Sequence, residues 1–193
     1  REMTRDVVLP QLITFLNDRD NALRGEFFDC ITGACTFIGS SSVEEIIMPC
    51  IEMTLIDVEE RVIAKVVHCL ATLCELGLFK KSGLVNKAKM TAPLLFHPSP
   101  RVRDEVISLM ATVAAQLGSP DMHAFLAPVI WPFCKPGRVL VGSAMTYSSI
   151  ESVLKPPVSR HAVERGMWVA GEWKTAGPGP VSGGGVSRAA AEV

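Results

Sequence analysis

The sequence predicts an all-α solenoid, in which antiparallel helix pairs stack in a row ahead of a Gly/Pro/Ala-rich tail that stays disordered. Three observations carry that class. Prolines recur inside apolar stretches at Pro10, Pro49, Pro93 and Pro128, separated by 39, 44 and 35 residues. Glycines close the segments between them at Gly39, Gly77 and Gly118, separated by 38 and 41 residues. Each glycine-ended segment also carries apolar residues at the spacing of one helical face. A steady period of this length marks a repeat architecture, in which each unit rests on its neighbours.

The predicted array occupies residues 1–160, in units of about 5–39, 42–77, 80–118 and 119–155. The first unit opens with "LPQLITFLND", which holds Pro10, and continues as "LRGEFFDCITGACTFIG", whose apolar face is Leu23, Phe27, Ile31, Cys35 and Ile38. Gly39 follows the last apolar position, where a left-handed stop costs glycine nothing. In the second unit Ser42 with Glu45 spells a capping box ahead of "MPCIEMTLID", and Asp57 with Glu60 spells another ahead of "RVIAKVVHCLATLCELG". The third unit holds "APLLFHPSP" and then "RVRDEVISLMATVAAQLG", with Ser99-Pro100 placing a cap before a first-turn proline. Ser119-Pro120 repeats that signal for the fourth unit, whose "APVIWPFCKP" contains Pro128.

Counted from Ser42 and Ser119, Pro49 and Pro128 fall about two turns inside their helices, so those helices are expected to bend. A bend in every unit lets an outer layer follow a curved inner one. The fourth unit is expected to be incomplete, because "KPGRVLVGSAMTYSSIES" is broken by Gly and Ser and weakly periodic. Residues 161–193 are too rich in Gly, Pro, Ala and Ser to bury a core, and read as a disordered tail.

Composition narrows the function. A net charge of −1 gives no global footprint for nucleic acid, and no nucleic-acid partner is expected. With 48% hydrophobic residues and mean hydropathy +0.30, collapse is expected, yet no apolar run reaches the ~20 residues of a membrane span. The opening "REMTRDVV" has no initiator Met and no signal-peptide pattern, and reads as part of a longer protein. The six cysteines, Cys30, Cys35, Cys50, Cys69, Cys74 and Cys134, form no C-x-x-C pair and no zinc ladder. They are expected as reduced, mostly buried thiols of a cytosolic or nuclear protein.

No catalytic constellation, metal site or cofactor motif emerges. The chain lacks a Gly-rich loop before a strand, a V-A-I-K lysine, an H-R-D loop and a D-F-G site. The "SGGGVS" string lies in the tail, without flanking elements. Cys74 and His68 are six apart on one helix and point to different faces. Glu44/Glu45 and Glu59/Glu60 sit in first helical turns, where acids complement the helix dipole. One binding candidate is a basic strip of Lys80, Lys81, Lys87 and Lys89, extended by Arg101 and Arg103, for an acidic partner or an anionic membrane surface. Its alternative is an ordinary solvated helix end. Trp131 lies in a helical unit and is expected in the core, whereas Trp168 and Trp173 belong to the tail.

A period near 40 with proline in the first helix, Asp at the turn (Asp18, Asp57) and Arg opening the second helix (Arg24, Arg61, Arg103) resembles the HEAT repeat over residues 5–134. In that pattern Asp and Arg form a ladder between successive turns. More closely, "LPQLITFLNDRD", "LRGEFFDCI", "SVEEIIMPCIEMTLID", "AFLAPVI" and "SVLKPPVSR" resemble the HEAT region of the vacuolar-protein-sorting-15-type regulatory subunit of the class III phosphatidylinositol 3-kinase complex. The resemblance implies a non-catalytic middle segment between a kinase-like domain and a WD40 propeller. It further implies a cytoplasmic scaffold for the lipid kinase catalytic subunit and a Beclin-type subunit, peripheral to endosomal, vacuolar or autophagosomal membranes and serving autophagy and endosomal sorting. Two alternatives stand beside it. One is a piece of a protein known as a serine/threonine kinase whose kinase domain lies elsewhere; the other is an unrelated HEAT adaptor.

Overall fold

The computed structural model of the chain describes residues 7–138, 145–159 and 161–162. Beyond residue 162 the expected tail, with Trp168 and Trp173, lies outside the described residues. Among the described residues the regular elements are helices, beside one isolated antiparallel bridge between Cys134 and Leu154. Helix α1 (Leu9–Ile13) tightens into a 3-10 stretch to Asn17 and is followed by α2 (Asn21–Ile38). The next outer run comprises α3 (Ser40–Ser42), a wide π turn over Val43–Ile47 and α4 (Met48–Thr54), and it precedes α5 (Glu60–Glu75). Helix α6 (Lys81–Thr91), prolonged as a 3-10 stretch to Phe96, precedes α7 (Pro100–Leu117). The fourth outer run is α8 (Ser119–Asp121), a π turn over Met122–Leu126, α9 (Ala127–Ile130) and a 3-10 turn to Phe133; α10 (Tyr147–Val153) ends the series.

The long helices α2, α5 and α7 pack side by side as an inner row, and α10 lies against α7 at its end. The first three outer runs pack against the inner helices of their own units, and the fourth packs against α6 and α7. One continuous core reaches from Leu9 to Leu154. Helix α5 sits between two neighbours and has apolar residues almost all round, burying Val62, Ile63, Val66, Val67, Leu70, Leu73 and Cys74 among others. Each fully buried aliphatic side chain of this kind contributes roughly 1.5–3 kcal/mol, which overrides the weak helix propensity of the valines.

The prolines follow wide turns. An interior proline lacks an N–H and presses its ring on the carbonyl four residues back. Here the residue before the proline bonds one step further back than in an α-helix: Met48 N–H to the Val43 carbonyl before Pro49, and Ala127 N–H to the Met122 carbonyl before Pro128. The chain ahead of Pro10 is also π-helical, at residues 7–8. The π turn makes the room that the ring needs. Pro93 is accommodated differently, near the start of the 3-10 stretch Ala92–Phe96.

The glycines at 39, 77 and 118 all take positive φ, by two mechanisms. Gly77 (φ 68°) closes a Schellman motif, with its own N–H on the Cys74 carbonyl at 3.0 Å and Leu78 N–H on the Leu73 carbonyl at 3.4 Å. Gly39 (φ 86°, ψ 167°) and Gly118 (φ 79°, ψ 164°) occupy instead a region open essentially to glycine alone. Each ends one helix and starts the next. Gly39 N–H bonds the Cys35 carbonyl while its own carbonyl accepts from Val43, and Gly118 does the same between Ala114 and Met122.

This geometry corrects the expected starts. The second outer run begins at Ser40, so Ser42 is buried inside it, helical, and makes no capping box with Glu45. Ser119 likewise lies within its helix, capped by Gly118. Asp57 does not cap α5, whose N-cap is Glu59, and no box with Glu60 forms. Ser99 does occupy the N-cap of α7 ahead of Pro100, without a side-chain cap bond.

A different device recurs two residues before each inner N-cap. The Asp18 carboxylate accepts from Asp20 N–H at 2.8 Å, Asp57 from Glu59 N–H at 2.9 Å, and His97 Nδ1 from Ser99 N–H at 3.1 Å. Such side-chain turns fix the entry into α2, α5 and α7.

The fourth unit is not a full pair. Helix α10 has 7 residues against 18 in α7, and the chain then runs back as an extended strap. Lys135 N–H bonds the Val153 carbonyl at 2.8 Å, Lys155 N–H the Phe133 carbonyl at 2.9 Å, and Val158 N–H the Phe96 carbonyl at 3.0 Å. Between Lys155 and Val158 lie Pro156 and Pro157, which have no N–H to leave unpaired.

Candidate functional site

Polar side chains join one unit to the next. Arg24 grips the carboxylate of Asp57 with two bonds, Nε–Oδ2 at 2.8 Å and Nη2–Oδ1 at 2.9 Å. Its remaining nitrogen bonds the Asp18 and Arg19 carbonyls of its own turn. Both side chains are almost covered, at 13% and 11% exposure, and the Asp57 hydrogen bond raises the pKa of the guanidinium. Lys65 of α5 reaches Glu26 (2.8 Å) and Asp29 of α2, lying over Gly25. A hydrogen bond of 3.4 Å from the Thr32 hydroxyl to Cys69 Sγ joins the same helices. Across α5 and α7 run His68–Glu105 (3.1 Å) and Thr112–Glu75 (3.2 Å). In the outer layer Lys87 meets Glu44 at 2.9 Å and Lys81 meets Asp121.

These contacts span 33 to 43 residues, one repeat each. The wiring is therefore nearest-neighbour, as a solenoid requires. Arg103, which stands where Arg24 stands in the first unit, bonds the Leu95 carbonyl at 3.1 Å and the Lys155 carbonyl of the strap at 3.4 Å. Arg61 is no rung. It lies two residues after the Glu59 N-cap and is exposed, whereas the matching position four residues after the cap is the buried Ile63.

The six cations of the predicted basic strip separate into two groups. Lys81, Lys87 and Arg103 are engaged within the molecule, and Lys87 is 8% exposed, with Nζ 4.9 Å from the Phe79 ring centre. Lys80, Lys89 and Arg101 are exposed. Lys80 is the N-cap of α6 and Lys89 comes nine residues later, half a turn round the helix, so these two do not share a face. A search for opposite charges one repeat apart would have found Glu44–Lys87, Glu26–Lys65 and Lys81–Asp121 in the sequence.

The cysteine thiols offer no nucleophile in the core. Burial pushes Cys35 and Cys74 up to about 12 and Cys69 up to about 11. Cys30 is exposed and Cys50 partly so. His68 faces Glu105 on the surface while Cys74 is buried, so the two stand apart. Among the described residues no cluster of three His, Cys, Asp or Glu is placed to hold a metal ion, and no helix is long and apolar enough to cross a membrane.

Among the exposed apolar groups, two sets stand out by their place in the repeat. On α2, Leu23 and Cys30 are exposed where the equivalent residues of α5 and α7 are buried (Val62 and Cys69; Val102 and Leu109), and Phe37 extends the same stripe. In the fourth outer run Phe125 and Trp131 are exposed. The expectation of a core Trp131 therefore fails: the residue is 61% exposed, because it lies one turn after the exposed Pro128 on the outward side of the helix, while Ile130 takes the inward position.

Residues 1–166 match the family described as PIK3R4-like, middle domain. The probable serine/threonine-protein kinase vps15 of Dictyostelium discoideum is 36% identical over 171 residues, covering 86% of this chain and 9% of that protein. The serine/threonine-protein kinase VPS15 of Arabidopsis thaliana is 39% identical over 165 residues, covering 86% of this chain and 11% of the relative. A non-specific serine/threonine protein kinase of Candida glabrata is 34% identical over 161 residues, covering 83% and 11%. The chain thus spans about a tenth of the length of the curated relatives that it matches, and the family match is to a middle domain, not to a kinase domain. With a repeat-wired helical stack and a match over nearly all of it, this chain belongs to the PIK3R4-like middle-domain family, the helical region of VPS15-type proteins.

Proposed function

We infer that the chain is a non-catalytic scaffold segment of a VPS15-type regulatory subunit, supporting the class III phosphatidylinositol 3-kinase complex in autophagy and in endosomal or vacuolar sorting. The observation that carries this reading is the match to the PIK3R4-like middle domain along the whole helical stack. Stacked pairs joined to their neighbours offer a long surface, which suits holding other proteins at fixed spacing. The partners in this reading are the lipid kinase catalytic subunit and a Beclin-type subunit, and the setting is cytoplasmic, peripheral to endosomal, vacuolar or autophagosomal membranes. Phosphoryl transfer, the activity in the relatives' names, is assigned to the parent protein outside this segment. Lys80, Lys89 and Arg101 are the cations of the predicted group that stay exposed for an acidic partner or anionic lipid.

The test deletes residues 7–159 from the full-length parent protein and purifies the complex through a tag on the lipid kinase catalytic subunit. Loss of the Beclin-type subunit from the purified complex is expected. An intact complex with unchanged stoichiometry and vesicle binding would overturn the scaffold role.

A further inference from the structure

Among the described residues the last junction of the stack is closed by the 7-residue helix α10. It packs on α7 with Ile150 and Val153 buried, and its first residue, Tyr147, donates a hydrogen bond from its hydroxyl to Asp104 Oδ1 at 3.0 Å. A helix of this length does not persist without such tertiary support. Tyr147 is 37% exposed and follows the exposed N-cap Thr146. The phenol oxygen faces carboxylates: Asp104 directly, and Glu151 one turn on. Arg103 lies beside Asp104, but its guanidinium is committed to the Leu95 and Lys155 carbonyls.

We propose that Tyr147 is a phosphorylation site, and that a phosphate there releases α10 and the 154–158 strap from the end of the stack. The reaction moves the terminal phosphoryl group of ATP to Tyr147 Oη, catalysed by a separate tyrosine kinase. The bond to the bridging oxygen of ADP breaks, the P–Oη bond forms, and the hydroxyl proton leaves to the kinase's base. The oxygen that donated to Asp104 then has no hydrogen, and it carries a group of charge near −2 against Asp104 and Glu151. The same surroundings already resist negative charge on this oxygen, for burial first and Asp104 second push the phenol up to about 12. The phosphate also competes for Arg103, whose bond to the Lys155 carbonyl anchors the strap. Both effects act on the same junction.

Tyr147 is the one tyrosine among the 193 residues, so a single phosphate on tyrosine identifies the site without mapping. The chain is incubated with ATP and a purified tyrosine kinase of broad specificity, and hydrogen exchange is compared before and after. Exchange at α10 and at the Lys155 and Val158 amides is expected to rise about tenfold or more, with α5 unchanged. The phosphorylated Asp104→Asn variant keeps an acceptor without the charge and is expected to lose less protection than the phosphorylated parent. Failure of Tyr147 to accept phosphate overturns the proposal, as does unchanged protection of α10 and the strap in the phosphorylated chain. Equal loss in the Asp104→Asn chain overturns the electrostatic cause.

Discussion

Asp57 performs two tasks that can be separated. Its Oδ1 accepts the Glu59 N–H at 2.9 Å, shaping the turn, and its carboxylate receives Arg24 through two bonds across the unit boundary. Asp57→Asn keeps an acceptor for the turn and removes the charge. Asp57→Ala removes both. With the two side chains at 13% and 11% exposure, the pair lies between a surface bridge, at ~0–1 kcal/mol, and a buried one, at roughly 3–5 kcal/mol on loss of one partner. We expect Asp57→Asn to cost about 2 kcal/mol and Asp57→Ala about 3 kcal/mol, the difference being one side-chain-to-backbone bond of about 1 kcal/mol. Arg24→Met supplies the other arm of a double-mutant cycle read by urea denaturation, with a coupling energy of about 2 kcal/mol. Hydrogen exchange should loosen near the start of α2 and α5 and leave α7 protected. A coupling below about 0.5 kcal/mol would mean that the rung behaves as a solvated surface pair and would refute the reasoning.

Four further outcomes follow from the same geometry. Lys87→Glu puts a second carboxylate beside Glu44 against the Phe79 ring and should lower stability by about 2–4 kcal/mol, whereas Lys89→Glu on the exposed side should change it by less than about 0.5 kcal/mol; thermal denaturation compares them. Gly39→Ala and Gly118→Ala force a Cβ into a glycine-only conformation at a cost of about 1–3 kcal/mol, while Gly33→Ala, helical with nothing within 4 Å, should gain about 0.5–1 kcal/mol in the same assay. Iodoacetamide at about pH 8 should label Cys30 quickly and Cys50 slowly and spare Cys35, Cys69 and Cys74 until the chain unfolds. Because burial raises these three folded thiols from 9.0 to about 11–12, their contribution to stability is complete below pH 9.0 and is lost as pH rises towards 12, which denaturation at stepped alkaline pH reads.

Much of the fold was legible because the apolar spacing of "RVIAKVVHCLATLCELG" and its relatives can be satisfied only by a helix with a buried side. Glycine at the end of each such segment located the junctions within a residue. The starts were harder. Gly39 and Gly118 link two helices without a gap, so a cap sought at the next serines misses a helix that has already begun. The rung positions depend on counting from the true N-cap, and taking Asp57 for the cap rather than Glu59 promotes Arg61 over Ile63. Charge alone grouped six cations that the helix axes distribute between neighbours and solvent. Backbone pairing between Phe133–Lys135 and Val153–Lys155 has no local signature, so "LKPPVSR" reads as a distinctive string but not as a strap. The family resemblance depended on such strings and did not need their geometry.

The one-repeat reach of every inter-unit rung has a mechanical corollary. Among the described residues these rungs tie neighbouring units, and the strap's bond from Val158 to the Phe96 carbonyl reaches back no further than the third unit, so tension on the two ends should peel one pair at a time, in a staircase of similar lengths. The segment would then behave as a compliant spring in whatever larger machine contains it, yielding by steps and rewinding when the load is removed.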